Sequence, residues 1–411
     1  MKILVIGNGF DLAHELPTKY NDFLDFLTLI IKMSRYSSTT VDFISKQLNE
    51  SFANIHIKNY IHNLIKEITE EYKRNNENAV LKFLSLNTLV NKSENKVLRE
   101  LIEYTEGNVW YEHFVIAKSY INEGWIDFES EISRVIQLLE KYKSNGLFEL
   151  QDLEEKETKK IVLSVSTPDG NSKKFRVDEK LIQNLELDLN KLIRSLELYL
   201  EECVGKINID HILPDIYGQR FTKILSFNYT NTFKKIYEPY LMKLTYAPSQ
   251  LEYDFIHGKS NIENDLETNN MVLGIDEYLN NMETNQNTSF IFFKKYFQRI
   301  HKETGCEYKD WVSNIRSSHS PTELYIFGHS LDITDKDVIR ELILSNNVKT
   351  TIFYYNKKVY ASQIANLVKV LGKDDLISRV HGSKRSITFK QQEGLKSTTL
   401  SETLELIVPG N

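Results

Sequence analysis

The 411-residue chain predicts an α/β fold, in which a mostly parallel sheet, split in sequence, carries a large and mainly helical insertion with a β-hairpin. Three observations predict it. Lys2 to Ile6 is a short apolar run that ends in the turn Gly7-Asn8-Gly9-Phe10-Asp11, with a helix opening at Leu12. From Tyr20 to about Val204 the apolar residues recur at helical spacing instead. After Ile212 short strands alternate with helices, the pattern of a sheet covered on both faces. The organisation expected is a sheet domain built from residues 1–20 and 212–385, a helical insertion or lid over 21–211, and a tail over 386–411. Within that tail Ile387-Thr388-Phe389 fits an edge strand.

Taken in order, the first strand and its turn carry the most information. A buried strand that feeds a helix through a glycine turn is how open α/β sheets hold nucleotides. Gly7 and Gly9 allow positive φ and let a ligand approach bare backbone, which a Cβ would block. The helix that follows is expected to aim its unpaired N–H groups at that ligand. Leu12 stands where the dinucleotide fingerprint has its third glycine, so Gly-Asn-Gly also fits a plain βα turn.

Further along, Phe23, Phe26, Leu27, Ile30 and Ile31 form one helical stripe, and Ile61, Leu64, Ile65 and Ile68 another. Trp110–Ile121 and Phe128–Leu139 read as two helices joined by Asn122-Glu123-Gly124. Ile161 to Val177 reads as a β-hairpin around Pro168-Asp169-Gly170-Asn171. Leu181–Leu200 reads as a long helix with Leu185, Leu189, Leu192, Leu196 and Leu200 on one side, which fits either a seam between subunits or packing within the chain. Strands are then expected at Phe221–Phe227, Phe255–His257, Met271–Ile275, Glu323–His329 and Thr350–Tyr355. Helices are expected at Thr232–Lys243, Ser289–Lys302, Asp335–Asn346 and Val359–Gly372.

Composition narrows the function classes. A net charge of −6, with no long basic block, disfavours a non-specific nucleic-acid binder. Cys203 and Cys306 make no CxxC pair and cannot build a four-thiolate zinc site; they read as isolated thiols of a reducing compartment, and no metal is expected. The chain starts directly on a strand, without a cationic-then-apolar leader, and contains no apolar run of membrane-spanning length. The expectation is a soluble cytoplasmic protein.

In an open parallel sheet, ligands bind at the carboxyl ends of the strands. Here those ends read Gly7-Asn8-Gly9-Phe10-Asp11, Ser226-Phe227-Asn228-Tyr229-Thr230, Ile256-His257-Gly258, Leu273-Gly274-Ile275-Asp276 and Phe327-Gly328-His329-Ser330-Leu331-Asp332. Gly7, Gly9, Gly258, Gly274 and Gly328, five of only 16 glycines, all fall there, which favours a shared crevice.

The order of these motifs, with Leu16-Pro17-Thr18-Lys19-Tyr20 after the first turn, resembles the bacteriophage abortive-infection family AbiH over nearly the whole chain. More distantly, the series is similar to the sirtuin-like, Rossmann-like domains of bacterial antiphage systems. That resemblance implies an antiphage effector that hydrolyses NAD, as substrate, to ADP-ribose and nicotinamide. It implies that Asn228 and His257 are catalytic, matching the Asn and His of sirtuin-like NADases. It places the dinucleotide against Gly7, Asn8, Gly9, Phe10, Asp11, Ser226, Tyr229, Gly258, Gly328, Ser330 and Asp332.

The residues suit that chemistry. Breaking the nicotinamide–ribose bond builds positive charge on the sugar, as in glycoside cleavage. A histidine such as His257 serves as a general base or a ribose-hydroxyl partner, and Asn228 can fix a hydroxyl and the attacking water. Asp11 departs from the Ser usual in sirtuin-like domains; it fits a rival of a phosphate, a ribose contact or a helix cap. Ser330 and Asp332 fall where those families meet the adenosine half, though Asp332 also fits an N-cap and Asp335 a first-turn acid. His329 points to core or crevice; His14 and Lys19 fit either phosphate closure or a solvated loop. Trp125-Ile126-Asp127-Phe128-Glu129 is similar to an AbiH segment, and Asp127 and Glu129 fit crevice carboxylates or the cap and first turn of a helix. The alternatives to hydrolysis are a nucleotide-binding sensor without turnover and a toxin acting on RNA or protein synthesis. The activating trigger is not written in the residues, and a homo-oligomer is compatible with the leucine stripe.

Overall fold

A computed structural model describes residues 1–35, 54–76, 85–120, 128–153, 158–170, 172–242, 251–275, 288–318, 320–383 and 385–393. Asn122-Glu123-Gly124, Trp125 to Asp127, Asn171, Asp276 and the tail past residue 393 lie outside the described residues. In chain order the strands are β1 (Lys2–Ile6), β2 (Phe148–Glu149), β3 (Ser166–Pro168), β4 (Lys174–Val177), β5 (Lys223–Ser226), β6 (Glu252–Phe255), β7 (Thr322–Phe327), β8 (Val348–Tyr354) and β9 (Ile387–Gln391). The chain forms two compact units: one from Met1–Leu16, Ile207–Lys259 and Arg299–Asn411, the other from Pro17–Lys206 and Ser260–Gln298.

The first unit holds a six-stranded sheet in the order β6-β5-β1-β7-β8-β9, with every pairing parallel. The N-terminal strand is therefore central, with Ile6 opposite Ser226 on one side and Phe327 on the other. That position explains its composition. Ile3, Leu4, Val5 and Ile6 are all buried, as a strand covered on both faces requires. Alternation sends Ile3, Val5, Leu225, Leu324, Ile326 and Ile352 to one face. There they meet Trp311, Val312 and Ile315 of helix Tyr308–Ser317, Ile339 and Leu342 of helix Lys336–Leu344, and Leu367 and Val370 of helix Lys357–Leu371. The other face is aromatic: Phe327 packs on Phe353 at 5.4 Å and on Phe10 at 5.9 Å, and Phe10 continues the chain of rings to Phe233 and Tyr237. Ile387-Thr388-Phe389 does form an edge strand, pairing with β8.

The second unit is helical, with the small antiparallel sheet β2-β4-β3. Its longest elements are helices Ile55–Asn75 and Glu179–Tyr199. Leu185, Leu189, Leu192, Leu196 and Leu200 are all buried within the chain, so the leucine stripe is a packing face of the unit. Trp110 donates its indole N–H to the Leu185 carbonyl at 2.9 Å on that face. Arg194 donates to Glu197 at 2.6 Å, and the Asn261 amide and the Asn264 side chain donate to the same carboxylate at 3.0 and 2.7 Å. A buried charge pair of this kind persists only with added hydrogen bonds to its charged groups.

Two expectations are corrected here. Ile161–Ser164 is the end of helix Lys159–Ser164, and the hairpin is confined to β3 and β4. Ile161 and Val162 satisfy their burial as one helical face, which a short apolar run allows as readily as a strand. Met271–Ile275 makes no strand of the large sheet. It belongs to the second unit and forms a single bridge from Ile275 to Lys294, so Gly274 is removed from the row of strand-end glycines.

The reason for the remaining glycines also differs from the expectation. Gly7 is extended, with φ −121°, and the helix already begins at Asn8, earlier than Leu12. A Cβ on Gly7 would lie 2.8 Å from the Gly328 carbonyl oxygen and the His329 Cα; one on Gly9 would lie 2.7 Å from the Gly328 Cα. Gly328 itself has φ +68°, and a Cβ there would fall on the Phe10 amide nitrogen. Backbone, rather than ligand, occupies the space. Replacing Gly328 by Ala combines left-handed strain with an overpacked backbone contact, so a destabilisation of about 2–5 kcal/mol is expected. A shift in the chemical-denaturation midpoint measures it, and a near-neutral G328A would contradict the packing described.

Candidate functional site

The carboxyl ends of β1, β5, β6 and β7 carry the site, since these four strands lie together in one parallel sheet. Their turns are stitched to one another. The Gly7 amide donates to Phe327 O at 3.1 Å and the Gly9 amide to Gly328 O at 2.8 Å, while the Phe10 amide donates to Gly7 O at 2.8 Å. These three N–H groups are thus spent within the fold and are not the unpaired donors expected of the turn. Asn8 is exposed, and Phe10 is given over to the aromatic core.

Asn228 is buried, and its side-chain amide donates to Gly7 O at 3.0 Å. Ser226 donates to Asn228 O and accepts from the Asn228 amide, closing the β5 turn on itself. Asp11 is buried beside it and accepts from Thr230 at 2.6 Å, and Thr232 donates onward to Thr230. Burial pushes the Asp11 carboxyl up to about 6, against the pull of Thr230, Thr232 and Asn228 toward the charged form.

His14 is buried as well, which corrects the solvated-loop and phosphate-closing readings alike. The Leu213 amide donates to the Tyr237 hydroxyl at 2.8 Å, which lies 2.9 Å from His14 Nε2; His14 Nδ1 lies 2.8 Å from Phe10 O. With its phenolic oxygen accepting from Leu213, Tyr237 donates to Nε2, and the His14 proton sits on Nδ1. Burial pushes the His14 pKa down to about 4.

The β6 and β7 ends bring together three groups. His257 Nε2 lies 3.2 Å from Asp335 Oδ1, and His329 Nε2 lies 3.3 Å from Asp335 Oδ2. Both imidazoles are buried, and the Phe227 ring meets them edge-on at 5.5 and 4.3 Å. Tyr229 stands 6.4 Å from the His257 ring. Gly258 follows with φ +78°, which turns the chain directly after His257. Ser330 is exposed, and its carbonyl accepts from Asn366 at 3.0 Å. Asp332 caps the turn that leads to Asp335, accepting from the Thr334 amide at 3.2 Å.

The structure therefore brings His257 and His329 together through Asp335, a residue the sequence presents as an ordinary first-turn acid. Asn228 and Asp11 form a second group on the β1 turn, with partners of their own. Glu129 lies in the second unit, paired with Lys295 at 2.8 Å, and Asp127 lies outside the described residues. Nearby on the same helix, burial raises the Glu131 pKa, but His113 at 2.6 Å and Arg134 outweigh it and hold the carboxyl at about 2. Cys203 is a buried free thiol and Cys306 an exposed one. Among the described residues, no group of three or more His, Cys, Asp or Glu is placed to hold a metal, and no helix is long and apolar enough to cross a membrane.

The raised Asp11 pKa has a stability consequence. Between about pH 4 and pH 6 the folded chain holds a proton on Asp11 that the unfolded chain has released, so this group's contribution falls as pH rises through that window. Asp11→Asn is expected to raise stability at pH 7.5 by up to about 3 kcal/mol, with the gain vanishing toward pH 4. Denaturation midpoints of both proteins at the two pH values test this; an equal effect at both would refute it.

Comparison with known proteins places the chain. A search of curated proteins finds no match. The family model of bacteriophage abortive infection AbiH matches residues 3–356, a span that opens within β1 and runs past the end of β8. The chain is an abortive-infection protein of the AbiH family.

Proposed function

We propose that this AbiH-family protein cleaves NAD to ADP-ribose and nicotinamide, with His257 as its acid–base group, on a sheet of sirtuin-like type. The observation that carries the reading is His257 held against Asp335 at the carboxyl ends of the sheet. Such an arrangement suits glycosidic cleavage. The bonding pair leaves with neutral nicotinamide, water adds to the ribose carbon, and the imidazole takes the proton from that water before releasing it to solvent. Asp335 then faces an imidazolium and stabilises it.

Asn228 acts in this reading through the β1 turn. Its bond to Gly7 O holds the turn that carries Asn8, one of the proposed dinucleotide contacts beside Gly258, Ser330 and Asp332 of the other strand ends. Loss of NAD in the cytoplasm arrests the infected cell, which fits the role in the family name. The second reading is a sensor that binds the nucleotide without turnover. Engagement of the Asn228 side-chain amide by Gly7 speaks for it, because that N–H group is then spent within the fold.

Nicotinamide release from NAD by the purified full chain separates the two. Hydrolysis predicts turnover in the wild type and a loss of about 10²–10⁴-fold in His257→Gln, at an unchanged melting temperature. Asn228→Ala is expected to lower both turnover and the melting temperature, since it removes one of the two donors to the Gly7 carbonyl. Saturable NAD binding without nicotinamide release, in the presence of phage lysate as trigger, would establish the sensor instead.

A further inference from the structure

Asp335 stands between two imidazoles that the backbone makes chemically unequal. The Leu331 amide donates to His329 Nδ1 at 2.9 Å, so the ring proton of His329 sits on Nε2, the nitrogen facing Asp335 Oδ2 at 3.3 Å. The turn that makes this bond is fixed from several sides. Leu331 is fully buried although its φ is +58°, three residues after Gly328 at +68°. Gln363 donates to His329 O at 3.1 Å and to Phe353 O at 3.2 Å, and Asn366 donates to Ser330 O. Unfavourable backbone of this kind persists only where its surroundings over-determine it. His329 is thereby fixed with its protonated nitrogen 3.3 Å from one carboxylate oxygen.

The other carboxylate oxygen faces His257, 3.2 Å away, with the Phe227 ring edge-on to both imidazoles. The Asp335 amide donates to Asp332 O at 3.2 Å, and Asp332 in turn caps that turn, so the carboxylate is fixed by its backbone as well. A carboxylate with no proton of its own accepts only, and therefore selects the N–H face of the ring opposite it. We infer that Asp335 is the positioning residue for His257: fixed by its backbone bond to Asp332 and faced by His329 on one oxygen, it holds the His257 proton on Nε2 and so makes Nδ1 the basic atom. The arrangement of protons stands on the geometry alone; its catalytic consequence rests on the proposed hydrolysis of NAD.

Ring-nitrogen ¹⁵N NMR on the full-length protein tests the inference without reference to activity, with His257→Gln and His329→Gln assigning the signals. In the wild type both rings are expected as Nε2–H tautomers. In Asp335→Asn, His257 is expected to lose that preference, whereas His329 keeps it, because the Leu331 amide still occupies its Nδ1. A wild-type His257 protonated on Nδ1, or a His257 signal unmoved by D335N, would overturn the inference; the first of these needs no variant to fold. With NAD, D335N is expected to lose about 10²–10⁴-fold in kcat with little change in KM, the pattern of a misoriented base. The tautomer result without any NAD cleavage would sustain the positioning role and remove the hydrolase reading.

Discussion

Backbone laid directly on backbone, where the turns after β1 and β7 meet, is the constraint on which the site depends. Gly7 and Gly9 approach Gly328 and His329 more closely than any side chain permits. Because of that approach, the Gly9 amide can reach Gly328 O, and the turn after β7 is driven into the left-handed region at Gly328 and Leu331. The same contortion turns His329 so that one ring nitrogen meets the Leu331 amide and the other meets Asp335. A turn that looks built for a ligand is first built for its neighbour. The polar groups at the strand ends are then placed by that packing, and Asn228 locks it from the β5 side.

Much of the fold was legible in the chain. The runs at β1 and β5 declare themselves because central parallel strands bury both faces and leave no alternation to confuse the reading. The leucine stripe of helix Glu179–Tyr199 was equally plain, although only the structure says what covers it. Met271–Ile275 shows the limit. Its residues are as apolar and β-branched as those of β5, yet they form a single bridge with Lys294, because hydrophobicity specifies burial and not a partner. Helix Tyr308–Ser317, whose Trp311 and Ile315 cover one face of the sheet, was missed because Asp310, Lys309 and Arg316 make its composition look like a solvated connector.

The site was legible in its residue types and opaque in its pairings. His257 and His329 were visible as polar residues at strand ends. Asp335 was visible only as an acid at the start of a helix, since nothing along the chain joins it to His257; the parallel order of β6, β5, β1 and β7 does that. Asn228 and His257 were read as one pair and turn out to serve different partners. His14 shows the reverse error. A histidine in a polar loop sequence is in fact part of the aromatic face, its two nitrogens satisfied by Phe10 O and Tyr237.

The centre of the sheet is made well before either of its neighbours, and this bears on how the protein is assembled. Both hydrogen-bonding neighbours of Lys2–Ile6 come from the second half of the sequence, at Lys223–Ser226 and Thr322–Phe327. During synthesis an apolar five-residue segment must therefore wait while a mainly helical unit emerges and folds by local contacts. Its pairing is incomplete until Phe327 has emerged, which leaves an open strand edge, and with it a route to aggregation, on chains stalled before that point.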